Sequence, residues 1–254
     1  MVFTDPPYNV NYSGQGKDTS TTIQNDNLTE EAFRKLLEGA FENYRATIKS
    51  TAGVYVCYAS RTHREFEDAL NHENFEVRNQ IIWVKILASM GWGDYRWKHE
   101  PILYCHLKGN SVDFYGDRRQ YTEWKEEKND RQLLKIIKGM IEKQEQGNST
   151  VWRFNREFNY KHPTQKPVQM IMKAVFNSSK ENDIISDFFL GSGSTLIAAE
   201  KTGRICYGME IDPKYVDVII KRWESFTEKK AELLSSSEEN KGQEKQHNKP
   251  NKSR

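Results

Sequence analysis

The sequence predicts an α/β fold, a mainly parallel sheet with helices on both faces, interrupted by one inserted region. Three observations carry this expectation. Short β-branched and aromatic runs alternate with helical patterns of roughly 10 to 15 residues, the rhythm of βαβ units. Gly191 and Gly193 join an apolar run to a helical pattern, as at the carboxyl edge of an open sheet. Residues 108 to 160 break the rhythm with a dense mixture of charges and aromatics.

In chain order, Val2 and Phe3 open a strand that stops at DPPYNV, residues 5 to 10, because two successive prolines remove donors and fix φ. LTEEAFRKLLEGAFENYRATIK follows as a helix, with Thr29 as N-cap and Phe33, Leu36, Leu37 and Phe41 on one face. GVYVCYA is a strand, REFEDALNHENF a helix, VRNQIIWVK a strand and EPILYCHLK a further strand around Tyr104. After the irregular interval come PVQMIMKAVFNSS as helix, DIISDFF as strand, STLIAAEKTG as helix and RICYGMEI as strand, which places Cys206 in a buried strand as a small hydrophobe. PKYVDVIIKRWESF closes the folded part, with Val216, Ile219, Ile220 and Trp223 at helical spacing. From Glu228 onward large apolar residues almost vanish, and residues 232 to 254 read as a disordered tail.

The chain has 254 residues, room for one or two domains at roughly 150 residues each. Hydrophobic residues make up 36% and charged residues 29%, so much of the chain must lie on surface, in clefts or in solvated tails. No run reaches the ~20 apolar residues of a membrane span, and the start lacks a signal-peptide pattern, so a cytoplasmic protein with no membrane partner is expected. Cys57, Cys105 and Cys206 are widely separated, which excludes a disulfide framework and argues against a zinc knuckle. His99 and His106 flank Cys105 at no recognised metal spacing, and no metal is expected. A net charge of +2 neither announces nor excludes a nucleic-acid partner.

Three segments carry chemistry. The Gly191–Gly193 turn can bring backbone N–H groups against a ligand, but Leu196 stands where a third glycine would complete a dinucleotide fingerprint, and there is no Walker lysine. Glu210, at the end of the next strand, can accept hydrogen bonds from ribose hydroxyls, so a ribose-bearing cofactor without a pyrophosphate fits. A plain strand-to-helix turn is the alternative for this segment alone. The DPPY loop presents Asp5, the Pro6 carbonyl and Tyr8, which suit a planar base with an exocyclic amine, with an ordinary turn as the lesser alternative for the tetrapeptide alone. KHPTQKPVQMI, residues 161 to 171, is a proline-stiffened loop feeding a helix.

In this order, DPPY, an insertion, HPTQKP, DFFLGSGST and GMEID resemble the amino-group DNA methyltransferases of the β class, over nearly the whole chain from Val2 to about Lys230. The resemblance implies a Rossmann-like methyltransferase fold using S-adenosylmethionine. It implies a catalytic half at 1–107, a target-recognition insertion at 108–155 and a cofactor-binding half at 156–231. Asp5, Pro6, Pro7 and Tyr8 would form the catalytic motif, with Asp5 and Pro6 holding the amino group of a flipped base and Tyr8 stacking on its ring. Asp187, Phe189, Gly191 and Gly193 would line the cofactor site, Glu210 would hold the ribose, and Thr164 and Lys166 would lie near the methionine moiety. Arg118 and Arg119, beside Phe114, Tyr115 and Tyr121, are candidates for DNA contact. Partners implied are double-stranded DNA, a cognate restriction endonuclease and a second copy of the chain.

The DPPY form resembles adenine N6 enzymes more than the SPPY form of cytosine N4 enzymes, so N6 methylation of adenine is expected, with N4 methylation of cytosine as the alternative. The family usually has proline where Phe188 stands. It also shows a longer strand and an acidic segment before DPPY, whereas Met1 to Thr4 alone precede it here, which reads as N-terminal truncation. A catalytically silent DNA-binding remnant is therefore a competing class, and Glu126, Glu127 and Lys128 contain a nuclease-like ExK string better read as a solvated face. Trp92, Tyr95 and Trp97 either stack on bases or pack the core.

Overall fold

The computed structural model describes residues 1–12, 23–85, 98–116, 151–154 and 165–234. Among these, seven strands form one sheet: β1 (Val2–Thr4), β2 (Val54–Cys57), β3 (Phe75–Val84), β4 (His99–Leu107), β5 (Val151–Arg153), β6 (Ile184–Asp187) and β7 (Ile205–Gly208). The order is β5-β3-β4-β2-β1-β6-β7. Four pairings are parallel, while β4 runs antiparallel to both β2 and β3, so the sheet is mainly parallel. The interval read as an insertion contributes β5 to one edge of this sheet.

Among the described residues five α-helices accompany the strands: α1 (Glu30–Thr47), α2 (His63–His72), α3 (Val168–Ser178), α4 (Ser194–Thr202) and α5 (Pro213–Thr227). Each begins where the sequence offers a start signal or a proline. Thr29 accepts the Ala32 N–H through its hydroxyl, and Asp212 caps α5 by accepting the Lys214 N–H just before Pro213.

Strand alternation divides the core. Val2, Val54, Val56, Leu103 and Cys105 face Phe33, Leu37, Phe41 and Tyr44 of α1 and Phe66 and Leu70 of α2. On the opposite side Phe3, Tyr55, Cys57, Ile102 and Ile185 meet Met170, Ile171 and Val175 of α3 and Ile197 and Ala198 of α4. Both faces are thus covered by helices, as a parallel sheet requires.

The β7 edge departs from expectation. Ile205 and Tyr207 are exposed and Cys206 is only half-buried, because β7 has a strand neighbour on one side only among the described residues. On α5, Ile219 is buried while Val216 and Ile220 are exposed, so the apolar stripe is narrower than its spacing suggested. Among the described residues no helix is long and apolar enough to cross a membrane.

Candidate active site

β1 and β6 are parallel neighbours, yet their crossovers depart in opposite directions: β1 leads through α1 to β2 on one side, β6 through α4 to β7 on the other. The crevice beyond the carboxyl ends of these two strands is the topological switch point, where open α/β sheets bind ligands. The DPPY loop leaves β1 there and the glycine loop leaves β6 there, so two segments more than 180 residues apart meet at one edge.

Asp26 fixes the DPPY loop. Its Oδ1 accepts the N–H groups of Tyr8 (3.0 Å) and Val10 (3.2 Å), and its Oδ2 accepts that of Tyr12 (2.7 Å). Asn9 exchanges hydrogen bonds with the backbone of Leu28, and both Asn9 and Asn11 adopt positive φ, a conformation asparagine tolerates. Sequence reasoning missed Asp26, since nothing in its local pattern distinguishes it from any acid before a helix.

Within the loop, Asp5 is held from two sides. The Tyr8 hydroxyl donates to Oδ1 at 2.5 Å, and the Lys166 ammonium donates to Oδ2 at 2.5 Å. Lys166 also lies 5.3 Å from the centre of the Tyr8 ring and 3.5 Å from Glu100 Oε2, while Glu100 Oε1 pairs with Lys85. The result is a chain of alternating charge, Lys85, Glu100, Lys166, Asp5, with both lysines almost wholly buried. Burial pushes the Asp5 carboxyl upward and the Lys166 ammonium pulls it back. Burial alone would depress Lys166, but the carboxylates of Asp5 and Glu100 outweigh it and keep the ammonium charged. The sequence expectation placed Lys166 near the methionine moiety of the cofactor; in the structure its ammonium sits on Asp5 of the DPPY loop. Glu100 and Lys85 were not anticipated as site residues. The available signal was a charged residue opening the apolar run of β4 and another ending β3.

The glycine loop is built with similar economy. Gly193 has φ +79°, and an added Cβ would come within 3.3 Å of Ile219. The Glu210 carboxylate accepts the Gly191 N–H at 2.7 Å and the Asp212 N–H at 3.0 Å, tying the loop after β6 to the end of β7. Gly208 lets Leu190 lie across β7, since a Cβ there would fall 2.5 Å from Leu190 Cδ2. Arg222 of α5 donates to the Ser192 carbonyl at 3.1 Å and to the Ser194 hydroxyl at 3.2 Å, latching the loop from outside. Phe189 is half-buried beside it, its N–H donating to Asp187.

Phe188 has a partner that proline could not serve. Its ring stacks on Tyr44 with centroids 4.2 Å apart, and its N–H donates to the Tyr44 hydroxyl at 2.6 Å. Tyr44 in turn donates to Thr4 Oγ1 at 2.8 Å, so one buried phenol links α1 to the ends of both β1 and β6.

Asp187 is buried and accepts from the Thr195 hydroxyl at 2.7 Å and the Phe189 N–H at 3.1 Å; burial nevertheless raises its carboxyl to about 7. A folded-state value above the ordinary 3.8 means that the folded protein holds the proton where the unfolded chain has lost it. Stability must therefore fall as pH rises from about 4 to about 7. Asp187→Asn removes that titration. Thermal unfolding of the ligand-free protein should show wild type losing ground to Asp187→Asn between pH 5 and pH 8; a constant difference would place the titration elsewhere.

Thr164, Arg118, Arg119, Trp92, Tyr95, Trp97, Glu126, Glu127 and Lys128 lie outside the described residues. Among the described residues no group of three His, Cys, Asp or Glu side chains could hold a metal ion.

Residues 1–222 match the family profile described as DNA methylase, of the N6/N4 methyltransferase type. The type II methyltransferase M.HinfI of Haemophilus influenzae is 27% identical over 236 residues, which cover 87% of this chain and 62% of M.HinfI, so the chain spans about three fifths of that relative's length. The DNA adenine methyltransferase YhdJ of Escherichia coli strain K12 is 25% identical over 247 residues, 92% of this chain and 79% of YhdJ. Among solved structures, the complex of M1.HpyAVI with SAM aligns at a TM-score of 0.58 and 21% identity over 87% of each chain, a likeness of fold.

Proposed function

Because the chain belongs to the N6/N4 family of DNA methylases, we propose that it transfers a methyl group from S-adenosylmethionine to the N6 amino group of an adenine flipped out of double-stranded DNA. One juxtaposition supports the reading above all. The Asp5 carboxylate and Tyr8 ring, suited to an aminated base, stand at the same switch point as a glycine loop bound to Glu210, suited to a ribose-bearing cofactor.

The residues present fit that cofactor. Each Glu210 oxygen accepts one N–H and retains a further lone pair for a ribose hydroxyl, and the glycines at 191 and 193 place no side chain between the loop backbone and a ligand. Bound S-adenosylmethionine supplies a methyl group on a sulfonium. The protein's own contribution is orientation and charge. Asp5 accepts an N–H of the amine, whose lone pair is otherwise delocalised into the ring, and its carboxylate favours the positive charge that grows on nitrogen. The Pro6 carbonyl takes the second N–H, and Tyr8 holds the ring plane. Fixing a near-attack geometry in this way supplies a large share of the rate enhancement. The sequence is read by the 108–155 interval, with Arg118 and Arg119 as base-reading candidates.

Two experiments test this. Incubation with DNA and methyl-labelled S-adenosylmethionine, followed by nucleoside digestion, should yield N6-methyl-2′-deoxyadenosine; label in no base from a folded protein would refute the activity. Glu210→Ala should weaken S-adenosylmethionine binding by about 1 to 3 kcal/mol, the scale for losing bonds to a charged acceptor. Calorimetry showing unchanged affinity would remove Glu210 from the cofactor site.

A further inference from the structure

The two groups assigned to the target base are engaged by the protein itself. Two contacts are expected of an adenine there, an N–H donor on Asp5 and a π-stacking partner over Tyr8. Lys166 makes surrogates of both, with Nζ 2.5 Å from Asp5 Oδ2 and 5.3 Å from the Tyr8 ring centre. A base cannot take the Asp5 contact while the ammonium keeps it, and an ammonium stripped of its carboxylate in a buried site is strongly disfavoured.

Glu100 offers the way out. Its Oε2 lies 3.5 Å from Lys166 Nζ, close enough to attract it and too long for a full hydrogen bond, while Lys85 pairs with the other oxygen. Lysine has a flexible four-carbon stem, and Pro167, the N-cap of α3, fixes the backbone from which that stem swings. Resting on the base-binding role of Asp5 and Tyr8, we propose that Lys166 guards these base-binding groups and that Glu100 is a positioning residue, receiving the Lys166 ammonium when the target base displaces it from Asp5. The exchange moves one ammonium between two carboxylates, so the buried chain keeps its net charge and Asp5 is freed to accept the amine.

The two residues then have opposite effects on base capture, which a merely structural role would not give. The test uses the full chain, S-adenosylhomocysteine and a duplex that keeps the mapped target adenine and carries 2-aminopurine beside it, whose fluorescence rises when the adenine leaves the stack. Lys166→Met removes the guard and should raise the flipped fraction, even where methylation falls. Glu100→Gln removes the carboxylate that receives the ammonium, and should lower the flipped fraction by about tenfold or more, with S-adenosylmethionine affinity unchanged. In the Lys166→Met background, Glu100→Gln should have little further effect. Lys166→Gln replaces Lys166→Met should the latter not fold, and Glu100→Asp should restore part of the capture. A lowered flipped fraction in the Lys166 variants, or an unchanged one in Glu100→Gln, overturns the exchange. A wild-type protein that neither methylates nor flips its DNA overturns the base-pocket reading itself.

Discussion

Asp5→Ala is expected to reduce methyl transfer by roughly 10³-fold or more, the scale on which preorganised charge stabilisation operates, while S-adenosylmethionine affinity stays within a few-fold. The asymmetry follows from position. Asp5 lies on the loop after β1 and touches Tyr8 and Lys166, whereas the glycine loop is held by Glu210, Arg222 and Tyr44. The substitution also strips Lys166 of a carboxylate and leaves Tyr8 without its acceptor, so the folded fraction must be measured beside the rate. Asp5→Asn keeps the volume and one acceptor and removes the charge, which isolates the electrostatic part. Equal loss of cofactor binding in a folded Asp5→Asn protein would make Asp5 a structural turn residue.

Asp26→Ala should be nearly as damaging although Asp26 touches no proposed ligand. Its two oxygens accept three backbone N–H groups across Tyr8 to Tyr12, and each such group left unsatisfied costs about 1 to 3 kcal/mol. Losing all three releases the loop that aims Asp5 and Tyr8, and misplacement of about 1 Å can cost ~10²-fold in rate. We expect kcat to fall by about 10²-fold or more with cofactor affinity preserved, and Asp26→Asn to lie between, because an amide oxygen can serve Tyr8 and Val10 while its NH2 faces the Tyr12 N–H. Steady-state kinetics on both variants checks this. A full-rate Asp26→Ala enzyme would mean that the loop is rigid without its clamp.

Much of this site is legible in the sequence because its signals are local. Tandem prolines end the β1 strand, Thr29 caps α1 by its own hydroxyl, and a glycine pair between an apolar run and a helix marks the tight turn after β6. The alternation of periods, two for strands and about 3.6 for helices, gives the layer order in the same way. What escapes such reading is created by folding. Asp26 acts across a gap of up to 18 residues, Glu100 and Lys166 come from opposite halves of the chain, and Tyr44 matters because α1 carries it to the ends of two strands. Lys166 shows the difference most plainly. Its motif suggests a place near the cofactor, but only the tertiary structure places its ammonium on Asp5. The exposure of Ile205 and Tyr207 was likewise hidden, since an edge strand and a central strand can share one apolar pattern.

The most direct measurement of the central claim is to express the chain in a host lacking adenine methylation and map modified bases by single-molecule sequencing, with Asp5→Ala as control. The account predicts N6-methyladenine at one short recurring sequence with wild type and unmodified DNA with Asp5→Ala. Unmodified DNA from a folded wild-type protein that binds S-adenosylmethionine, or N4-methylcytosine in place of N6-methyladenine, would contradict it.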